Sequence, residues 1–440
     1  MSSPLAQSLT LPCGAVIPNR ICKAAMTEGL ADPLGRPTEA LANLYGAWSD
    51  GGAGLLLSGN IQVDGDHLER PGNVIIQGEP DAELRAALAQ WAAAATRNGN
   101  HFWAQISHAG RQTQKNVNPS PKAPSAVKVK LPGGQFGMPQ PLEIAEIEDI
   151  VQRFAIAAKA VVAAGFTGVQ VHGAHGYLVS QFLSPRSNQR TDIYGGSLEN
   201  RARLLLQIVS AVRAAIGPQV PLAVKLNSAD FQKGGFDFED SQQVVQWLEQ
   251  AGVDLVEISG GTYEQPKLLG VQGIEAEEKQ HVAESTAKRE AYFVDFALAM
   301  QEKVNIPLMV TGGFRQRAVM ERAIESGSAD MVGLGRPLCL VPDAPARLLD
   351  GEEELERFED SVALLPGWLQ FLNRSNAMRS LSAFSLQYWY YCQLEEIGRN
   401  GKADRGLSVL AASKRILVQQ SRWLRQRRKL QGQAATALPA

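Results

Sequence analysis

Cysteine is scarce in this chain: Cys13, Cys22, Cys339 and Cys392 are the four in 440 residues. None lies in a CxxC pair, which removes the zinc-ribbon and cysteine-ligated iron–sulfur readings, and a disulfide framework does not suit so large a chain. Long hydrophobic runs are missing too. No stretch of about 18 uninterrupted apolar residues offers a membrane span. Met1-Ser2-Ser3-Pro4 lacks the basic-then-apolar opening of a signal peptide, so a reduced, cytoplasmic setting is expected. An excess of charge of one sign is also lacking, the net being −2. That balance hides an asymmetry. Residues 361–440 carry 12 Lys and Arg against 3 Asp and Glu, whereas residues 1–360 carry 31 against 42. The acidic body argues against a nucleic-acid-binding core, and no nucleic acid is expected as partner. The basic tail suits an acidic surface, a partner or a membrane.

What is present is a recurring unit. A helix-like stretch ends in glycine, and a short apolar run follows. Residues 40–50 lead through Gly51, Gly52 and Gly54 to Leu55-Leu56-Leu57, and residues 147–164 lead through Gly165 to Val169-Gln170-Val171-His172. Residues 240–251 lead through Gly252 to Leu255-Val256-Glu257-Ile258-Ser259, and residues 318–326 through Gly327 to Met331-Val332-Gly333-Leu334. Glycine fits the left-handed position past a helix end, and such runs suit strands buried on both faces. Four more apolar runs, at 20–26, 102–106, 222–226 and 308–311, bring the total to eight strands. The alternation predicts an α/β fold with a parallel sheet, and eight units predict a closed (β/α)8 TIM barrel over residues 1–350. An open doubly wound sheet is the alternative. Long stretches follow the strands, at 27–38, 59–80, 107–145, 173–197 and 260–288, as loops do on the catalytic face of a barrel. The segment of about 108–145 is rich in Pro and Gly at its centre and predicts a lid.

Chemistry-capable residues collect at the predicted strand ends. These are Met26-Thr27, Gly59-Asn60, Gln105 with Ser107 and His108, His172 with His175, Lys225 with Asn227, Ser259-Gly260-Gly261, Gly312-Gly313 and Gly335-Arg336. Eight such ends converging on one mouth make a site. Loops after the seventh and eighth strands of barrels often cradle a phosphate; Gly313 and Gly335 allow close backbone approach, and Arg336 adds a charge-assisted bond. Otherwise these glycines only turn the chain and Arg336 pairs with a carboxylate. His172 and His175 can donate together to a carbonyl or nitro oxygen; a metal pair and two backbone-satisfied histidines are the alternatives. Beside them no carboxylate ends a strand, and no metal is expected. Tyr177 follows two residues on, and an ordinary phenol, titrating near about 10, can act as a general acid. Lys225 is either a cation that stabilises a developing anion or a Schiff-base lysine.

These residues sit in longer blocks. His172-Gly173-Ala174-His175-Gly176-Tyr177 continues to Gln181-Phe182-Leu183-Ser184-Pro185 and on through Asn188-Gln189-Arg190-Thr191-Asp192 to Asn200-Arg201. With His108-Ala109-Gly110-Arg111-Gln112 and Gly333-Leu334-Gly335-Arg336-Pro337, the chain resembles the old yellow enzyme family over about residues 8–345. The resemblance implies FMN at the barrel mouth. Ala24, Ala25, Met26 and Thr27 would lie along the isoalloxazine, with Thr27 near its carbonyl edge, Asn60 at the strand-two contact, Gln105 at the pyrimidine edge and Lys225 near N1, while Gly313, Gly335 and Arg336 would serve the phosphate. His172 and His175 would hold the substrate's electron-withdrawing oxygen, Tyr177 would protonate, and Glu28 would fall among the substrate contacts. The implied activity is NAD(P)H-dependent ene reduction of an α,β-unsaturated carbonyl or related activated alkene. NADPH or NADH gives a hydride to flavin N5, which passes it to the alkene. Lys225 stands where many relatives have arginine, and Glu28 where they often have an aromatic or basic residue. The cysteine cluster and second nucleotide domain of bifunctional relatives are missing, which implies the single-domain form. A Schiff-base aldolase or lyase and a non-catalytic flavin-binding scaffold are the competing functions.

Residues 351–440 exceed the barrel and predict a helical extension, basic toward its end. Helices are expected at 366–372, 378–397 and 407–430, with Trp368, Phe371, Phe384, Tyr388, Trp389, Tyr390 and Tyr391 on the first two and Arg425, Arg427, Arg428 and Lys429 closing the last. They would pack on the barrel or on a sister subunit, forming a homo-oligomer. Peripheral membrane contact is the less favoured alternative.

Overall fold

The computed structural model describes residues 3–131, 134–260, 296–364 and 376–437. Eight parallel strands form its centre: Ile21–Lys23, Leu55–Gln62, His101–Ser107, Gly168–Gly173, Leu222–Asn227, Leu255–Ser259, Leu308–Thr311 and Met331–Leu334. Each pairs with its neighbour in sequence. The eighth returns to the first, with Val332 opposite Ile21 and Leu334 opposite Lys23. The expected barrel is therefore closed, and the edges that an open doubly wound sheet would leave are paired.

Burial explains why these runs are strands. Six of the eight are buried along their whole length, which suits runs packed on an inner and an outer face. Inside the barrel base, Cys22, Leu55, Leu57, Trp103, Ala223, Leu255, Met309 and Met331 form one apolar cluster. Leu9, Leu11 and Ile17 join it from an antiparallel pairing of Leu9–Thr10 with Val16–Ile17. This N-terminal hairpin closes the barrel bottom. Two-residue strands carry too little periodicity to be read from the sequence. Outside, helices are started by side-chain caps: Thr38 accepts from Leu41 N–H, Ser197 from Asn200 N–H and Asp237 from Asp240 N–H.

Three departures from the expected elements bear on the site. The first strand stops at Lys23 rather than 26; Ala24 N–H still reaches Leu334 O at 2.8 Å, and the chain then leaves the ladder. The second strand runs on to Gln62 across an irregularity between Leu57 and Asn60. The lid segment is tied down by a short pairing of Lys122–Ala123 with Gln140–Pro141 and a bridge from Gln114 to Phe136. The expected loop at 260–288 lies, beyond Gly260, outside the described residues, as does the helix at 366–372 with Trp368 and Phe371.

The other two C-terminal helices are present as Asn376–Asn400 and Val409–Ala437. The first packs on helix Glu39–Asp50 of the barrel so closely that a β-carbon on Gly398 would lie 2.3 Å from Ala40 O. The second crosses the loops of the catalytic face. Trp423 Nε1–H donates to Ala31 O at 3.0 Å, Arg427 donates to Pro33 O at 3.0 Å and Gly65 O at 3.2 Å, and Arg428 donates to Asn116 O at 2.9 Å. Part of the basic tail is thus used within the chain, capping loop carbonyls. Among the described residues no helix is long and apolar enough to cross a membrane.

Gly398→Val should force the two helices apart and cost about 2 kcal/mol, the usual scale for overpacking a close contact. A lowered thermal midpoint is the expected reading; an unchanged one would show that the extension does not pack there.

Candidate active site

Above the apolar base, a buried polar chain crosses the barrel. Gln105 Nε2 donates to Gln170 Oε1 at 2.6 Å, Gln170 Nε2 donates to Glu257 Oε2 at 2.8 Å, and Lys225 Nζ donates to Glu257 Oε1 at 2.7 Å. All four residues are 3% exposed or less. Gln105 and Lys225 were expected in the site; Gln170 and Glu257 were not. Their signal was a polar residue in the middle of an apolar strand, at the same parity as His172 and Ser259 two residues on. Lys225 is committed to an ion pair with a buried carboxylate, whereas a Schiff base needs a free amine.

The next layer holds the histidines. His172 Nε2 and His175 Nδ1 face each other at 3.3 Å; His172 Nδ1 lies 3.4 Å from Ser107 Oγ, and His175 Nε2 lies 2.7 Å from Ser259 Oγ. Burial, then His175 and Lys225, holds His172 well below its ordinary pKa; burial and Lys225 do the same to His175. Both rings are therefore neutral donors at pH 7. His175 has φ +60°, a left-handed backbone that costs a residue with a β-carbon about 1–2 kcal/mol and aims its amide at Asn227 Oδ1, 3.0 Å away. The third histidine of the metal alternative lies elsewhere. His108 stacks on His67, and both face Asp64, which Arg153 also bonds at 3.0 Å. His108 Nδ1 accepts Gly110 N–H and His67 Nε2 accepts Lys122 N–H, so each ring turns its own N–H toward Asp64. A metal would need lone pairs there.

Tyr177 packs its ring 4.8 Å from that of His172, and its hydroxyl lies 2.9 Å from Glu69 Oε2. Asn60 Nδ2 donates to the same oxygen, and Thr27 bonds the carboxyl as well. Sequence reasoning missed Glu69, because a glutamate in a long polar loop carries no positional signal. Ala24 is buried, and Ala25, Met26 and Thr27 are half-buried. Met26 Sδ lies 3.5 Å from Cys339 Sγ.

Glu28, expected among the substrate contacts, is engaged inside the chain. It is 7% exposed and turns down against the barrel, where its carboxylate accepts from Tyr45 Oη and, at 3.0 Å, from Gly59 N–H, with Lys23 Nζ 3.9 Å away. Desolvation lowers Lys23 to about 8 even so. Glu28 therefore offsets a buried lysine.

After the seventh and eighth strands, Gly313 has φ +79° and Gly335 opens the short turn Arg336–Cys339. Arg336 and Arg315 both bond Glu359 Oε1 at 2.8 Å. Burial raises the Glu359 carboxyl, but the two arginines outweigh it and hold it below its ordinary value. Arg315 had not been expected; it stands three residues past the Gly312 turn. Several buried polar atoms lack a partner among the described residues: Asn60 Oδ1, both amide ends of Gln62, and Thr311 Oγ1. Buried polar groups are normally paired. A flat heterocycle with polar edges, carrying a phosphate toward Arg315 and Arg336, supplies partners of the right kind, so the residues fit FMN.

Two outcomes follow. Glu257→Ala should cost about 3–5 kcal/mol in urea unfolding, because it strands the Lys225 charge, and a joint Lys225→Met, Glu257→Met change should recover much of it. Equal losses in the two would deny the buried pair. Stability should also fall as pH drops. His108 titrates at about 4 when folded, through burial, His67 and other charges, against about 6.5 unfolded. The unfolded chain binds the extra proton first, so about 2 kcal/mol is lost by pH 5, which a pH series of unfolding midpoints would show.

Residues 13–354 match the NADH:flavin oxidoreductase / NADH oxidase family. The chain is 37% identical over 369 residues to the NADH-dependent flavin oxidoreductase iliE of Hypocrea jecorina, covering 78% of this chain and 88% of that one. It is also 37% identical over 353 residues to the iliE protein of Neonectria sp., where the match covers 77% of this chain but spans only 46% of the relative. The old yellow enzyme homologue of Zymomonas mobilis superposes with a TM-score of 0.66 at 25% identity, covering 81% of this chain and 95% of that one. The chain belongs to the NADH:flavin oxidoreductase / NADH oxidase family, as an FMN-carrying oxidoreductase of old yellow enzyme type that takes electrons from a nicotinamide.

Proposed function

We propose that this enzyme reduces the carbon–carbon double bond of an α,β-unsaturated carbonyl or related activated alkene. The observation that carries this reading is the grouping of two neutral imidazoles and one phenol at the end of a single strand, with His172 in contact with both His175 and Tyr177. A substrate oxygen within reach of the facing ring nitrogens is polarised without taking a proton, which stabilises charge growing there in the transition state. Tyr177 holds a proton at its hydroxyl for the neighbouring carbon. When bound, FMN would supply hydride-transfer chemistry between the nicotinamide and the acceptor carbon. Ala24, Ala25, Met26, Thr27, Asn60, Gln105 and Lys225 would hold the ring, and Gly313, Gly335, Arg315 and Arg336 would hold the phosphate. The basic docking of helix Val409–Ala437 on loops 31–33, 65 and 116 rigidifies the rim of the same mouth. Four free cysteines suit a cytoplasmic setting.

The reading is tested by anaerobic absorbance titration of the purified protein. NADH or NADPH should bleach the flavin, and cyclohexenone should restore it. Tyr177→Phe should slow the restoration by about 10²–10⁴-fold, the scale of a lost general acid, while bleaching proceeds. A protein that bleaches but is not restored by cyclohexenone would argue against alkene reduction.

A further inference from the structure

Three side chains assigned here to flavin or substrate meet on a fourth with no assigned role. Glu69 is 5% exposed and lies between strand Leu55–Gln62 and helix Ala82–Ala95. Its Oε2 is 2.9 Å from Tyr177 Oη and also accepts from Asn60 Nδ2, and Thr27 bonds the carboxyl from the loop after the first strand. Among the described residues no lysine or arginine reaches it at ion-pair distance. A carboxylate this deep, without a cation at ion-pair distance, is stabilised by keeping a proton or by sharing one. The contact to Tyr177 is a pair of oxygens with a hydrogen between them, and either oxygen can hold it.

We propose that Glu69 is a positioning residue for Tyr177 and the source of the proton that Tyr177 spends. As the alkene gains a hydride at its β-carbon, a C–H bond forms at the α-carbon while the Tyr177 O–H breaks. The O–H of Glu69 then breaks as that of Tyr177 re-forms. The carboxylate left behind takes a proton from water, which leaves hydroxide to the solvent, before the next turnover, so atoms and charge balance with no further reagent. The proposal rests on the alkene-reducing reading above.

The surroundings suit the role. Asn60 and Thr27 fix the carboxyl from two elements, and Tyr177 faces it from a third. Arg70 is its neighbour in the chain, and Glu28 acts on it from below. From the C-terminal extension, Tyr391 lies with its ring 3.7 Å from Arg70 Cζ and covers this side of the compartment. Tyr391 is itself held above its ordinary value by burial, so it stays a neutral phenol there. Burial, aided by Glu28, raises the Glu69 carboxyl against the opposing pull of Thr27, Tyr177 and Arg70. Glu69 thus keeps its proton to a higher pH than an exposed glutamate does.

The test uses the holoenzyme in stopped flow. Enzyme reduced anaerobically is mixed with cyclohexenone over a pH series, and reduction by NADH serves as the internal reference. In the wild type, reoxidation should slow as pH rises through the Glu69 titration, because the carboxyl must hold a proton to pass one on. Glu69→Gln should lose at least about tenfold in reoxidation and should lose that pH limb. Glu69→Asp, which keeps the acid, should retain the limb. In a Tyr177→Phe background, Glu69→Gln should add no further loss, since Glu69 acts only through the phenol. Wild-type reoxidation and an intact pH limb in Glu69→Gln would overturn the proposal, as would losses that multiply in the double variant. Wild-type reoxidation in Tyr177→Phe alone would also overturn it, by removing Tyr177 as the acid; failure of the alkene-reducing reading shows differently, as wild-type enzyme that NADH bleaches and cyclohexenone does not restore.

Discussion

The buried ion pair of Lys225 and Glu257 is the interaction on which the site depends. It sits where the apolar base of the barrel gives way to the polar mouth. Through Gln170 and Gln105 it links four neighbouring strands by side-chain bonds in addition to the backbone ladder. Two charges taken out of water are stable only when geometry and hydrogen bonds are complete. Here both glutamate oxygens are occupied, one by the lysine and one by an amide. The remaining Lys225 field acts upward, where it helps keep His172 and His175 uncharged. One cation thereby holds the buried glutamate and adds to the burial that keeps the histidines above it neutral.

The same logic recurs around the rim. Lys23 is matched by Glu28 and Tyr45, Arg315 and Arg336 by Glu359, and Asp64 by His67, His108 and Arg153. Two of these clusters join segments that follow different strands: Asp64 and His67 follow the second and His108 the third, while Arg315 and Arg336 follow the seventh and eighth. The mouth is thus assembled from charges that can be buried only in groups, and this gives long, polar loops a fixed arrangement. The C-terminal extension continues the pattern, since its Glu359, Arg427 and Arg428 close on partners contributed by the barrel.

That extension changes the meaning of the charge asymmetry. The acidic body and basic tail meet within one chain, and helix Val409–Ala437 lays cations over carbonyls of the catalytic face. The aromatic run in helix Asn376–Asn400 is likewise spent inside: Trp389 is buried with its N–H on Leu407 O, and Tyr391 stacks on Arg70 beside the substrate side of the mouth.

The barrel was legible in the sequence because it is built from local signals. Glycine after a helix end and an apolar run buried on both faces recur at a steady spacing, and eight repeats leave few other ways to close a parallel sheet. His172, His175, Tyr177 and Lys225 were legible for the same reason, as unusual polar residues at the ends of such runs. Glu69, Arg315 and Glu359 were not, because they lie in loops or beyond the barrel, where no periodicity marks a position. Nor was the Glu28–Lys23 contact, because the number of Glu28 in the chain says nothing about whether its carboxylate turns up to the mouth or down to Lys23. The sequence by itself determined which residues become strands, helices and strand ends, since backbone propensity and side-chain period are local. Which charges face one another was decided only by the tertiary structure, because partners such as Tyr177 and Glu69, 108 residues apart, are brought together by closure of the barrel.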